Sequence, residues 1–205
     1  MTTTTYPLQF EVDYPDRPLN RLTTALRLFT ALPIVLLLTA IGGFTVVSGA
    51  DTSTVVGSGS ALLFLPPLLM VVFRGRYPRW WYDFNVELLR FQNRVGVYVA
   101  LMDDRYPSTE EHQSVRLEVP YPTELNRGLP LVKWFLAIPH YVVLVVLYVG
   151  ALFALIGAWF AILVTGRFPR ALFNYLVGVG RWTNRVTAYA FVLVTDAYPP
   201  FRLAP

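Results

Sequence analysis

Residues 134–165 read WFLAIPHYVVLVVLYVGALFALIGAWFAILVT, 32 consecutive positions without one Asp, Glu, Lys or Arg. Such a run belongs either to a protein core or to lipid, and the rest of the chain favours lipid. Of its 205 residues, 55% are apolar and only 15% charged, with a mean hydropathy of +0.47, too apolar for an ordinary water-soluble domain. As one continuous helix the run would be about 48 Å long, against a hydrocarbon thickness of about 30 Å. Folded back at Gly150, each arm is about 24 Å, with Lys133 and Arg167 placed to snorkel toward headgroups. The folded version is the expectation, and a shallow hairpin that does not fully cross fits the same residues.

Outward from this run, a second one extends from Leu28 to Phe73 with Asp51 as its single charge. It divides into arms 28–48 and 55–73 around the polar stretch GADTSTV at 49–55, with Pro66 and Pro67 kinking the second arm. Basic residues fall at 17–27, 74–133 and 167–202 and avoid both proposed tips. The positive-inside rule then places both chain ends and the central connection in the cytoplasm of a multi-pass plasma-membrane protein. The apolar run that follows Arg21 and Arg27 and ends in Ser48-Gly49-Ala50 also has the outline of a signal peptide, but it is long for one and the pattern below argues for its retention.

The two halves of the chain read alike. LQFEVDYP ending at Pro15 answers VRLEVPYP ending at Pro122, Arg27 to Pro33 answers Lys133 to Pro139, and Gly75-Arg76-Tyr77-Pro78-Arg79 answers Gly166-Arg167-Phe168-Pro169-Arg170. Farther on, Arg90 to Arg94 answers Arg181 to Arg185, and Asp104 before Tyr106-Pro107 answers Asp196 before Tyr198-Pro199. The expected fold is therefore a membrane α-helical protein with a small β component, a tandem parallel repeat of strand, transmembrane hairpin, interfacial amphipathic helix and strand, with four membrane helices in total. The first copy is residues 1–107, with hairpin 28–73, interfacial helix 78–93 and strand 95–102. A linker at 108–114 follows, then the second copy at 115–205, with hairpin 134–165, interfacial helix 169–184 and strand 186–195.

The interfacial helices rest on stripes at steps of three and four, Trp81, Phe84, Leu88 and Phe91 in one and Leu172, Tyr175, Val179 and Trp182 in the other. Read as headgroup contacts, the residues at this surface are Arg76, Arg79, Trp80, Trp81, Arg90, Arg94, Arg167, Arg170, Trp182 and Arg185, suited to anionic lipid. The alternative reading makes the stripes the cover of a small cytoplasmic sheet. Gly150, Ala154 and Ala158 put small side chains on one helical face, where another helix can approach closely. That helix belongs to this hairpin, to the other half, to a second copy or to a different membrane protein.

The doubled pattern, with its YP-ending strands and its GR[YF]PR exits, resembles the family of prokaryotic membrane proteins catalogued as domain of unknown function four-three-eight-nine. The resemblance implies a bacterial integral membrane protein and carries no reaction and no functional residues.

Catalytic inventories look empty. There is no cysteine and there are two histidines, His112 in the linker and His140 early in the second apolar run, where haem ligation, proton uptake or a simple hydrogen bond are the options and the last is favoured. No phosphate loop, HExxH or GxSxG occurs. Asp103, Asp104, Glu110 and Glu111 read as a hydrated acidic linker rather than a cation site, and Arg76 to Trp81 as a headgroup contact rather than a nucleic-acid platform. The expectation is a non-enzymatic membrane scaffold or accessory subunit, without cofactor, metal or nucleic acid, holding lipid headgroups or a partner membrane protein. A carrier or scramblase for an apolar molecule and a membrane-shaping hairpin are the alternatives.

Overall fold

A computed structural model describes residues 6–42, 59–109 and 113–205. In chain order these form β1 (Gln9–Val12), α1 (Arg21–Ala25), α2 (Arg27–Gly42), α3 (Gly59–Arg74), α4 (Arg79–Val99), β2 (Val115–Glu118), α5 (Pro130–Leu136), α6 (Ile138–Thr165) and α7 (Arg170–Ala190). The strands pair antiparallel, Gln9 opposite Glu118 and Val12 opposite Val115. Phe10 and Leu117 face each other across the pair, and both are buried, so the alternation of the strand sends one face inward.

Four membrane helices in a tandem repeat are not what these residues form. Among the described residues only α6 is long and apolar enough to cross a membrane. It runs for 28 residues straight through Gly150. A lone glycine weakens a helix but does not reverse it, and Tyr148 to Leu152 carries no Pro, Asn, Asp or Ser to build a turn. In the first half, α2 and α3 have 16 residues each, about 24 Å apiece and short of a bilayer core. They pack against each other, while the expected tip with Asp51 lies outside the described residues. Three helices, α1 to α3, therefore precede α4 where two, α5 and α6, precede α7, and the halves do not repeat.

The strands expected at 95–102 and 186–195 are also absent. Val95 to Val99 continue α4 and Val186 to Ala190 continue α7. Extending a formed helix adds one hydrogen bond per residue ordered, which outweighs the modest β preference of valine. The chain leaving each helix passes through a leucine in the left-handed region, Leu101 two residues after α4 at φ 63° and Leu193 three residues after α7 at φ 61°. At the first stop Met102 N–H bonds Val97 C=O at 3.0 Å and Leu101 N–H bonds Tyr98 C=O at 3.1 Å, the two bonds of a Schellman ending. Leucine occupies a position where glycine is usual because its side chain is buried in the core.

The helices expected to lie in the headgroup region are the centre of the molecule. The buried face of α4 is Tyr82, Asn85, Val86 and Leu89, one step round from the predicted stripe. α7 buries eleven residues, Val179 and Trp182 among them. It packs antiparallel along α6, with Tyr175 hydroxyl on Leu147 carbonyl and Trp182 on His140. The main core joins β1 and β2 to α3, α4, α6 and α7, and a second cluster gathers Ala137, Leu144, Trp182, Val186 and Tyr189.

Candidate membrane-facing surface and its internal charges

α6 is two-faced. His140, Leu144, Ala154, Ala158 and Ile162 are buried, whereas Val142, Val145, Val149, Phe153, Ile156, Phe160 and Val164 are exposed. The exposed set steps by three or four throughout and the buried set by four with one gap of ten, the spacing of helical faces. Only 17% of its most apolar window is buried, so α6 is not the core helix of a globular domain, which would be covered all round. α5 leads into it with exposed Leu131, Trp134 and Phe135, and α2 exposes Leu28, Phe29, Leu32 and Leu36. An exposed apolar stripe running along a helix of about 42 Å exceeds what monomers leave in water.

The small residues of α6 face inward. Ala154 and Ala158 are buried, and a Cβ built on Gly150 would press on the hydroxyl of Tyr175 on α7. This close approach is therefore between α6 and α7 of one chain.

The predicted headgroup residues divide into three groups. Arg76, Arg79, Trp80, Arg167 and Arg170 are exposed. Arg79 also lies over the Tyr121 ring at 5.3 Å and Arg170 over Tyr14 at 4.5 Å. Trp81, Arg90 and Arg94 are half-buried. Trp81 packs on the main core, Arg90 donates to Leu117 carbonyl at 3.0 Å and pairs with Glu87, and Arg94 donates to the Ser108 and Thr109 carbonyls. Trp182 and Arg185 are buried at 6% and 2% exposure and cannot reach a headgroup. The Arg185 guanidinium reaches Arg202 carbonyl at 3.3 Å and lies 5.7 Å from the Tyr6 ring. The helical period places both on the inner face of α7.

Two buried bases organise the interior. Lys133, fully buried, donates to Thr195 carbonyl at 2.7 Å and pairs with Asp196 at 2.6 Å. The other oxygen of Asp196 accepts Asn126 N–H at 2.7 Å. Arg27, 2% exposed, donates to Asp103 carbonyl and to the Asp104 carboxylate, and stacks 4.1 Å over Tyr98. Asp104 in turn accepts Asn20 N–H at 2.8 Å. Each clamp ties an apolar helix to the chain leaving α4 or α7. Burial holds the Lys133 ammonium below the usual lysine range, and the Asp196 carboxylate offsets part of that drop. For Asp103 burial acts upward, but Arg105 N–H, the Ser114 hydroxyl and the guanidinium groups of Arg105 and Arg17 together carry it below the ordinary carboxylate value. The expected acidic linker is thus an internal joint at Asp103 and Asp104, with Glu110, Glu111 and His112 outside the described residues. Among the described residues no three His, Asp or Glu converge as for a metal.

His140 is buried at the start of α6. Trp182 Nε1–H donates to its Nδ1 at 3.0 Å, and Phe201 stacks on the ring at 4.0 Å. Nδ1 is therefore an acceptor, and a neutral ring carries its proton on Nε2.

Lys133, His140, α6, α7 and Asp196 all fall within one stretch of chain. Residues 130–202 match the family described as "Domain of unknown function (DUF4389)". The DUF4389 match thus takes in α5, α6 and α7 with the Lys133–Asp196 clamp, and leaves the Arg27 clamp outside it. No curated protein and no solved structure matches the chain. Neither clamp follows from the sequence reading, although a signal was present. Arg27 and Lys133 each open an apolar run, and Asp104 and Asp196 each stand two residues before Tyr-Pro.

Proposed function

We propose that this protein is a non-enzymatic membrane scaffold or accessory subunit that seats the outer face of α6 in bilayer hydrocarbon. The observation that supports the reading is α6 itself, 28 residues without a charge and left largely uncovered by its own chain. Water at that face would meet a continuous apolar stripe, whereas lipid or a partner membrane helix covers it without cost. Exposed Arg76, Arg79, Arg167 and Arg170 then contact anionic headgroups, each adding about 1 kcal/mol near the surface. Both chain ends share one compartment in this reading, supported by the Tyr6 hydroxyl that donates to Ala197 carbonyl at 3.1 Å.

Flotation of the full chain with liposomes tests it. The protein is expected to float with vesicles, more strongly when they contain anionic lipid, and to remain with them through an alkaline wash. Replacing Val145, Phe153 and Ile156 by Asp is expected to abolish flotation, and alanine at the four exposed arginines to remove the anionic preference. A wild-type chain recovered monodisperse without detergent and absent from the floated fraction refutes the proposal. Crosslinking in native membranes examines the scaffold role: a chain solubilised without any fixed protein neighbour counts against it.

A further inference from the structure

A cavity of about 350 Å³ lies between α4 and α7, floored by Phe10 and Val12 of β1 and reached by Tyr148 of α6. Its size falls in the range of small-molecule pockets, roughly 300–1,000 Å³. We propose that it binds a neutral single-chain amphiphile, an alkyl chain bearing one hydroxyl or amide donor.

The chemistry of the lining selects this class. None of its residues is Asp, Glu, Lys, Arg or His, so a charged group entering it would lose hydration without gaining a counter-ion. Most of the wall is apolar, and its polar side chains are Gln92, Tyr148, Thr183 and Thr187 together with one mutually bonded pair. Asn93 and Asn184 exchange amide hydrogen bonds at 2.7 and 2.6 Å, and their remaining amide hydrogens reach Leu89 and Gly180 carbonyls at 2.8 and 2.9 Å. All four amide hydrogens are thus engaged, while each Oδ1 keeps a free lone pair. The pair offers acceptors and no donors, which suits a hydroxyl or amide N–H on the ligand.

Gly96 provides the second line of argument. It stands within α4 and lines the cavity, and a Cβ built on it meets nothing within 4 Å. No close approach requires glycine there, in contrast to Gly180 on the opposite wall, where a Cβ would lie 3.0 Å from Phe10. A glycine in a helix interior weakens that helix relative to alanine. Gly96 is exposed, and a longer side chain there would extend into the open space that it lines.

The inference concerns a different part of the molecule from the outer face of α6, and photolabelling separates the two. The full chain in phosphatidylcholine nanodiscs is irradiated with a long-chain alcohol carrying a diazirine on its alkyl chain, and in parallel with the carboxylic acid of the same chain. Labelled positions are mapped by mass spectrometry. The alcohol is expected to label residues 89–100 and 176–187, with excess decanol competing, and the acid to label them at least about tenfold less. Gly96→Leu, or Ala100→Leu from the same wall, is expected to lower alcohol labelling there about tenfold while leaving labelling along α6 unchanged. Equal labelling by alcohol and acid, or labelling that survives both substitutions, overturns the cavity proposal. Loss of label along Val142 to Val164 with the cavity still labelled refutes the membrane seating of α6 instead.

Discussion

The Lys133–Asp196 clamp makes an asymmetric prediction. Asp196→Ala leaves an ammonium at zero exposure with only Thr195 carbonyl and the Tyr189 ring, 5.2 Å away, as partners, and stranding a buried charge costs about 3–5 kcal/mol. For a chain of this size each kcal/mol moves the melting temperature by roughly 2–4 °C, so a fall of about 6–20 °C is expected. Lys133→Met removes the charge but keeps the length of the side chain. The Asp196 that remains is 28% exposed and still accepts Asn126 N–H at 2.7 Å. Water can therefore reach the carboxylate in part, its Oδ1 being buried, and the largest single loss is the unpaired Thr195 carbonyl, about 1–3 kcal/mol. The double variant Lys133→Met with Asp196→Ala should be more stable than Asp196→Ala alone, because no buried charge is left. Thermal unfolding followed by far-UV circular dichroism in a fixed detergent ranks the four proteins. The pH dependence has a definite sign as well. Burial keeps the folded-state pKa of Lys133 below its unfolded value, so the unfolded chain binds the proton more readily and stability rises with pH toward the ordinary lysine pKa of about 10.4. Without Asp196 that depression deepens, and the deficit of Asp196→Ala should shrink as pH rises from neutral to about 10. An Asp196→Ala protein within about 1 kcal/mol of wild type, or one more stable than Lys133→Met, refutes the clamp as described.

Two further predictions concern the joint and the helix contact. Asp103 has a folded-state pKa below its unfolded value of about 3.9, so its contribution is complete above that pH and disappears as pH falls through the lower folded value; the melting-temperature gap between wild type and Asp103→Asn should be constant above about pH 5 and close below it, and a gap that widens on acidification contradicts the assignment. Gly150→Ala gains about 1 kcal/mol of helix propensity but pushes on the Tyr175 hydroxyl and its bond to Leu147 carbonyl. The substitution should therefore be near neutral in wild type and clearly stabilising in a Tyr175→Phe background, and identical effects in both backgrounds, measured by the same melting assay, would show that α7 does not approach Gly150.

Periodicity located α4 and α7 and placed Phe10 and Leu117 in strands, because a step of three or four and a step of two each survive in the residues themselves. It could not say where α4 and α7 stop. Val95 to Val99 carry a β-like alternation, and only the hydrogen bonds already made by the preceding turns decide that the helix continues to the left-handed Leu101. The same limit affected the arginines. Arg167 and Arg185 are the same residue type 18 positions apart, yet one is exposed and the other buried beside Tyr6.

Composition by itself determined that residues 134–165 form an uncharged apolar run long enough to cross a membrane, since transfer free energy depends on side-chain type and adds along the chain. Tertiary structure alone decided that most of the run, Ile138–Thr165, is one helix with a single uncovered face, and that the chain's one lysine sits fully buried against Asp196. Packing and charge pairing depend on which distant residues arrive together, and Lys133 meets its acid 63 positions along the chain, beyond the reach of any local pattern.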